Sequence, residues 1–313
     1  SAGSTSSLNM TGGSLFAENG FRMLSGRIFS DPVANIQTNG EFFLGETGVV
    51  SGNSNVVVGG QSTILGQMQA LSYLTTGNVE LRGPWQQSTS LTLSGNDQIF
   101  IFDAPQIVIA SLKRNAPNGV GTATISGPAG SSLRVTQQLQ LSSGIIVLIA
   151  TSMILDSQTG ITAASNSWVA GAISKSVKAG FTGSISFPAG STQASRAIDL
   201  VITNPLLTSS VFGIRHIETE PIIESGLPLT VGQNIILDTD RFNWILTSSV
   251  NFATSQTFSL STSKTGLDEA AVALLTRPIG TLGSVWKSDN LSAGTTLRSA
   301  ILTQGLTPSG LQI

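Results

Sequence analysis

The chain has 313 residues and a formal net charge of −2, and only 10 % of its residues are charged, against ~25 % in ordinary soluble domains. The 15 basic and 17 acidic residues leave no positive excess, which excludes the electrostatic binding mode of nucleic-acid proteins. The absence of cysteine excludes a disulfide scaffold, a thiolate metal site and cysteine catalysis. No apolar run reaches the ~18 residues of a membrane helix. The longest, Gly144–Leu155, is predicted to form two buried strands.

We expect Ser1–Ser7 (SAGSTSS) to be a flexible segment, because it has little apolar surface to bury. No signal-peptide pattern precedes Ser1, so in an exported protein these would be mature residues. From Leu8 onward, short pieces rich in β-branched and aromatic residues alternate with Gly, Asn and Ser, and none has a helical period. Examples are Glu41–Leu44, Asn55–Val58, Asn78–Leu81, Ser90–Leu93, Gln98–Phe102, Gln106–Ile109, Leu139–Leu141 and Ile145–Ile149. The pattern predicts an all-β chain.

Two arrangements fit short strands at this spacing, namely a sandwich and a coil of stacked parallel strands. The coil is favoured because two or three strands occur in every ~20–30 residues, with single Gly, Asn or Ser corners between them instead of hairpin turns. We therefore predict a β-helix domain over residues 8–190.

The centre of the chain carries four motif pieces in a fixed order: Leu139–Ile146 (LQLSSGII), Met153–Leu155 (MIL), Ala164–Lys175 (ASNSWVAGAISK) and Phe187–Gly190 (FPAG). With Arg241–Leu246 (RFNWIL) and Ser284–Lys287 (SVWK), they resemble exported cell-surface proteins of Bacteroidota. The resemblance covers roughly Leu133–Leu291. Ala189 and Lys175 stand where that family more often has valine and arginine, and the aromatic residue that commonly follows its FPVG motif is missing near Ser195.

The resemblance implies a right-handed parallel β-helix followed by a β-sandwich. It also implies export to the cell surface, often by type IX secretion, although no C-terminal sorting domain is visible. Independently of the resemblance, Trp168 is a large apolar side chain suited to capping an open coil end.

Residues 191–313 are predicted to form an antiparallel β-sandwich, because strand-like pieces recur about every ten residues. Asn204-Pro205, Ser225-Gly226 and Thr265-Gly266 mark turns between them. The stretch Leu267–Leu275 is interpreted as a loop followed by a strand. The predicted strands are Ala197–Thr203, Val211–Ile217, Asn234–Leu237, Phe242–Thr247, Thr257–Ser261 and Ala271–Leu275.

His216 is the only histidine in the chain, which excludes a His-rich metal site, and no Gly-x-Ser-x-Gly elbow accompanies it. Glu218, Glu220 and Glu224 form an acidic group that either acts as a glycosidase pair or is a solvated loop near Arg215, and we favour the loop. The sequence therefore predicts no catalytic residues, no cofactor and no enzyme activity.

Asp238 and Asp240 can bind calcium or bracket a turn, and the turn is favoured because the glycine and distal glutamate of a calcium loop are absent. The four tryptophans can form a carbohydrate platform if exposed, but each lies in or beside an apolar segment, which favours core packing. They are Trp85, Trp168, Trp244 and Trp286. No metal site is predicted.

The function expected from these features is that of a secreted structural subunit of a cell-surface or extracellular fibre or adhesive layer. The alternatives are a carbohydrate-binding adhesin and a polysaccharide-degrading β-helix enzyme. Leu8, Asn9 and Met10 are predicted to add a strand to another copy, and Trp168 to cap the opposite end. The expected partners are other copies of the chain and possible surface glycans, with no nucleic acid and no membrane span.

Overall fold

The computed structural model describes residues 7–218, 229–231, 234–236, 243–252, 258–263, 275–278, 287–288, 292–293, 297–302 and 311–312. All regular structure in these residues is β-strand, which confirms the prediction of an all-β chain. Two compact units are present: one reaches to Trp168 and the other begins at Val169.

The first unit is built from fourteen strands that stack in parallel. Parallel partners recur at short intervals along the chain: Val56 pairs with Tyr73, and Leu112 with Leu139. Each turn of the coil therefore takes about 17 to 27 residues, and the unit is a β-helix, as predicted. The strands are β1 Ser7–Met10, β2 Gly13–Ala17, β3 Gly20–Thr38, β4 Glu41–Val58, β5 Ser62–Ile64, β6 Gln67–Gln69, β7 Ser72–Thr75, β8 Val79–Leu81, β9 Ser90–Leu93, β10 Gln98–Phe102, β11 Gln106–Asn115, β12 Thr122–Ser143, β13 Ile145–Leu155 and β14 Gly160–Ala163.

Apolar side chains form continuous stacks inside the coil, because period-two alternation places every second residue of each strand inward. We call one of two eight-membered rows the inner stack. It starts at Leu15 and ends at Ile161, and its six middle members are at most 1 % exposed. Its members in order are Leu15, Ile36, Val56, Tyr73, Leu91, Leu112, Leu139 and Ile161. A neighbouring row, the second stack, runs Ala17, Thr38, Val58, Thr75, Leu93, Arg114, Leu141 and Ala163.

Glycine occupies one corner of the coil because the backbones of successive turns touch there. A Cβ added to Gly77 would lie 2.0 Å from the carbonyl oxygen of Gly60, and one added to Gly95 would lie 2.0 Å from that of Thr76. Gly40 and Gly60 meet the preceding turn in the same way. Side chains are excluded from this corner, which explains the regular glycines in the sequence.

One prediction about the coil is wrong. The run Gly144–Leu155 was predicted to contain two strands, but Ile145–Leu155 forms a single strand. The strand changes direction at Ala150, whose φ is +57°, and its register against β12 shifts between Ser126 and Ser131. The break in burial at Ile149 and Ala150, both exposed, explains why the sequence looked like two strands.

The second unit is mainly antiparallel. In one set of strands β19 pairs with β15 and β22, and in another β18 pairs with β16 and β23. The strands are β15 Val169–Val177, β16 Gly183–Phe187, β17 Ala189–Gly190, β18 Ile198–Ile202, β19 Ser210–Ile217, β20 Leu229–Val231, β21 Asn234–Ile236, β22 Asn243–Ser248, β23 Phe258–Ser263, β24 Leu275–Pro278, β25 Lys287–Ser288, β26 Ser292–Ala293, β27 Leu297–Leu302 and β28 Leu311–Gln312.

Aromatic packing connects the two sets of strands in the second unit. Phe212 of β19 lies edge-on to Phe258 of β23, with ring centroids 5.8 Å apart, and stacks on Phe252 at 5.6 Å. All three rings are buried. The apolar faces of β19 and β23 therefore meet at this cluster.

Candidate assembly edges

The start edge of the coil consists of β1 and β2. Residues 7–10 pair in parallel with residues 27–30 of β3, and residues 13–17 pair with residues 34–38 of the same strand. Within the described residues, β3 is the only pairing partner of either strand. Half of the backbone N–H and C=O groups of β1 and β2 therefore point away from the coil, where a further strand can bind them.

Apolar side chains are exposed along this edge. Leu8 is 46 % exposed and Phe16 is 55 % exposed, whereas Ile28 and Ile36 in the next turn are 2 % and 1 % exposed. Asn9 is exposed, and Met10 and Leu15 are half-buried. The residues that the sequence predicted to take part in assembly thus lie consecutively in one edge strand, namely Leu8, Asn9 and Met10.

Neither edge strand carries the side chains that commonly prevent strand addition. Exposed edge strands of soluble proteins are commonly protected by lysine or proline. β1 reads SLNM and β2 reads GSLFA, without a charged residue or a proline. The start edge is thus chemically open to pairing.

A second edge lies at the opposite end of the inner stack. β14 pairs in parallel with β12, through Ile161 on Leu139, and has no other partner strand among the described residues. Ile161 is half-buried, and Thr162 and Ala163 are exposed. Gln138 Nε2 donates a hydrogen bond to Thr162 Oγ1 at 3.2 Å, which ties the outer face of β14 to β12.

Trp168 is the last residue of the first unit, and its side chain is half-buried. Its carbonyl oxygen accepts a hydrogen bond from the Ile146 N–H at 3.0 Å, so this backbone stacks on the start of β13. Nearby, Asn166 Nδ2 donates to the Gly119 carbonyl oxygen at 3.1 Å. The segment that carries the ASNSW motif is therefore fixed to two earlier parts of the coil.

His216 lies in β19, with its side chain 1 % exposed. Its Nδ1 is 3.5 Å from Glu218 Oε2, and its ring lies edge-on to Trp244 at 6.0 Å. Burial lowers the pKa of His216 to about 4, against a smaller upward effect of Glu218; Arg196 lowers it further. A buried imidazole of this kind is neutral near pH 7 and is not exposed to a substrate.

The remaining predicted sites divide into packed residues and residues outside the described part. Trp85 is half-buried and lies edge-on to Tyr73 at 5.6 Å. Trp244 is 4 % exposed, and its Nε1 donates to the Arg196 carbonyl oxygen at 2.9 Å. Neither forms an exposed platform. The segment 1–6 and the residues Glu220, Glu224, Asp238, Asp240 and Trp286 lie outside the described residues.

Two members of the candidate edges were missed by the sequence reasoning. Phe16 and Ile161 were not predicted to take part in assembly, because nothing local distinguishes an edge strand from an inner one. A usable signal exists in the turn count, since only the first and last members of a stack lack a neighbour on one side within the described part of the chain.

The described residues contain no group of three or more His, Cys, Asp or Glu side chains able to hold a metal ion. They contain no helix long and apolar enough to span a membrane. No protein-family model, curated protein or solved structure matches the chain.

Proposed function

We propose that this chain is a non-enzymatic structural subunit of an extracellular or cell-surface fibre or adhesive layer. Copies join end to end by strand pairing at the start edge, to which Leu8, Asn9 and Met10 contribute. The coil is right-handed, and Trp168 helps to close the part of its other end formed by β13, which leaves the edge of β14 open. The antiparallel sets of the second unit form a β-sandwich, which the Phe212–Phe258 contact supports.

The observation that carries this proposal is the uncharged and partly apolar start edge. Its backbone groups offer hydrogen bonds to an added strand, and Leu8 and Phe16 offer apolar surface that such a strand would bury. The low charge of the chain, 10 % of residues, leaves little repulsion between copies.

The extracellular location rests on composition and on the resemblance to exported Bacteroidota proteins. The chain is poor in charged residues and rich in serine, threonine, glycine, asparagine and glutamine, a composition common in exported β-rich proteins. A type IX secretion route fits the ASNSWVAGAISK and FPAG motifs. Detection of the native protein on intact cells by surface proteolysis, set against its absence from the periplasm and cytosol, tests this part.

The non-enzymatic role is supported by the burial of His216, because a general base needs access to its substrate. Release of reducing sugar from a polysaccharide panel, lost on Glu218→Gln or Glu220→Gln, would contradict it. Sugar release that is lost in those variants but retained in Asp199→Asn would belong to this chain and not to a contaminating hydrolase.

Sedimentation velocity over a concentration series tests the assembly. The intact chain should sediment as increasingly large species, and a chain lacking residues 1–10 should stay monomeric with an unchanged β-type circular dichroism spectrum. A second variant, Leu8→Lys with Phe16→Lys, adds the charge that protects natural edge strands and should also remain monomeric.

The matched control places the same charges elsewhere on the coil. Ile99 and Ile101 are 41 % and 47 % exposed on β10, a strand paired on both sides. Ile99→Lys with Ile101→Lys should assemble like the intact chain. Equal loss of assembly in this control, or assembly of the edge variants, would overturn the proposal.

A second candidate function, glycan binding, is favoured by one surface. Asn35, Asn55 and Ser72 follow one another on the outer face of three successive turns, where Asn55 Nδ2 donates to Asn35 Oδ1 at 3.3 Å and Ser72 Oγ to Asn55 Oδ1 at 2.7 Å. Uncharged amides and hydroxyls at regular spacing suit sugar hydroxyls. A glycan array probed with the intact chain and with Asn35→Ala plus Asn55→Ala tests this candidate.

A further inference from the structure

The inner stack has two incomplete ends that match each other. Its six middle members are buried between neighbours above and below, whereas Leu15 at the start and Ile161 at the end are only half-buried. The missing neighbour of Leu15 is an apolar side chain on a parallel strand, and so is the missing neighbour of Ile161. Each end therefore supplies what the other lacks.

The second stack shows the same match. It begins at Ala17 and ends at Ala163, two identical small side chains. Bringing them together would place two methyl groups in contact and bury no charge. The two rows lie on the same strands, β2 and β14, two residues apart, so one pairing completes both.

β2 and β14 are also compatible as strands. They have five and four residues, and their sequences, GSLFA and GITA, contain no charged residue and no proline. Each has a single partner strand among the described residues, on the side facing the coil. Each strand thus has N–H donors and C=O acceptors available for a parallel ladder.

We infer that β2 of one copy pairs in parallel with β14 of the next copy. Leu15 then lies over Ile161 and Ala17 over Ala163, while Phe16 lies over Thr162 on the outer face. This inference rests on the proposed end-to-end assembly and identifies the second surface that it uses; β1, with Leu8, Asn9 and Met10, completes the start edge beside β2. The contact is heterologous, and it generates an open chain of copies.

Engineered cysteines give a direct test, because the natural chain contains none. Paired residues on neighbouring strands lie ~4.8 Å apart, within the Cα–Cα range of disulfides. The variant Phe16→Cys with Thr162→Cys places its two thiols at such a pair only across a junction between copies. Mild oxidation should convert at least half of it into a ladder of covalent oligomers on a non-reducing gel.

The out-of-register control is Ser14→Cys with Thr162→Cys. It moves one thiol two residues along β2, to a Cα–Cα separation of about 8 Å, beyond disulfide reach. This control should assemble normally under reducing conditions and form few covalent oligomers. Phe16→Cys alone should form no covalent dimer, because two start edges do not meet in a head-to-tail chain.

Reduced samples are sedimented in parallel so that the two proposals can fail separately. Normal sedimentation of large species without cross-linking of the 16–162 pair overturns the β2–β14 pairing and leaves end-to-end assembly standing. Equal cross-linking of both pairs, or covalent dimers of Phe16→Cys alone, overturns the pairing as well. Monomers at every concentration overturn both proposals.

Discussion

Arg114 Nη1 donates a hydrogen bond to the Gly95 carbonyl oxygen at 2.7 Å inside the coil, and a second one to the Leu93 carbonyl oxygen at 3.1 Å. Arg114 is 0 % exposed, so this guanidinium is enclosed with the corner backbone of the preceding turn. One turn earlier, Gln98 holds the equivalent carbonyl oxygens, donating to Gly77 at 2.6 Å and to Thr75 at 3.1 Å. Polar side chains thus fix successive corners of the coil.

Arg114→Ala should lower the free energy of unfolding by about 3 kcal/mol. The substitution removes a fully buried side chain and leaves two buried carbonyl oxygens without this donor. Lys113→Ala is the matched control, since Lys113 is its half-exposed neighbour on the outer face of β11, and should change stability by less than about 0.5 kcal/mol. Urea unfolding followed by circular dichroism measures both. Similar midpoints for the two variants would contradict the corner role.

Gly77→Ala should destabilise the first unit by at least about 2 kcal/mol. The added Cβ would lie 2.0 Å from the Gly60 carbonyl oxygen, so the two turns must separate. Thr92→Ala, at a half-exposed outer position of β9, should stay within about 0.5 kcal/mol of the intact chain. The measurement is the urea midpoint, and an unchanged midpoint for Gly77→Ala would show that the turns do not touch there.

The stability of the second unit should fall as the pH falls from about 6.5 to about 4. Burial lowers the pKa of His216 to about 4, whereas an unfolded histidine titrates near 6.5. Between these values the unfolded chain binds a proton that the folded chain does not, so the free energy of unfolding decreases by up to about 3 kcal/mol. The contribution of neutral His216 to the free energy of unfolding is fully present above pH 6.5 and is lost by pH 4.

Unfolding of the intact chain and of His216→Gln across this range isolates the histidine. Carboxylates titrate in both proteins, so their effects cancel in the comparison. The difference in the free energy of unfolding should therefore shrink or reverse as the pH falls. A difference that stays constant from pH 7 to pH 4 would contradict the assigned pKa.

Local strand structure could be predicted from the sequence because alternation and turn residues act within a few positions. The piece Gln98–Phe102 is β10 as predicted, and Val211–Ile217 is β19 with one added residue. Strand ends were less accurate where a strand continues around a corner. β11 extends to Asn115, six residues past the predicted piece, because its pairing with β9 and β12 is set by distant residues.

The candidate edges could be predicted only in part, because an edge is a property of the whole stack. Leu8, Asn9 and Met10 were identified from their place before the first turn, but Leu15 and Ile161 have the same local patterns as Ile36 and Leu139. Only the register over the eight members of the stack shows that Leu15 and Ile161 each have a neighbour on one side alone among the described residues. Arg114 was missed for the same reason, since its acceptors come from the preceding turn.

Negative-stain electron microscopy of the purified chain over a concentration series tests end-to-end assembly most directly. We expect unbranched filaments of end-joined particles that lengthen with concentration and are absent when residues 1–10 are removed. Single particles at every concentration, or filaments that persist unchanged after the deletion, would contradict it.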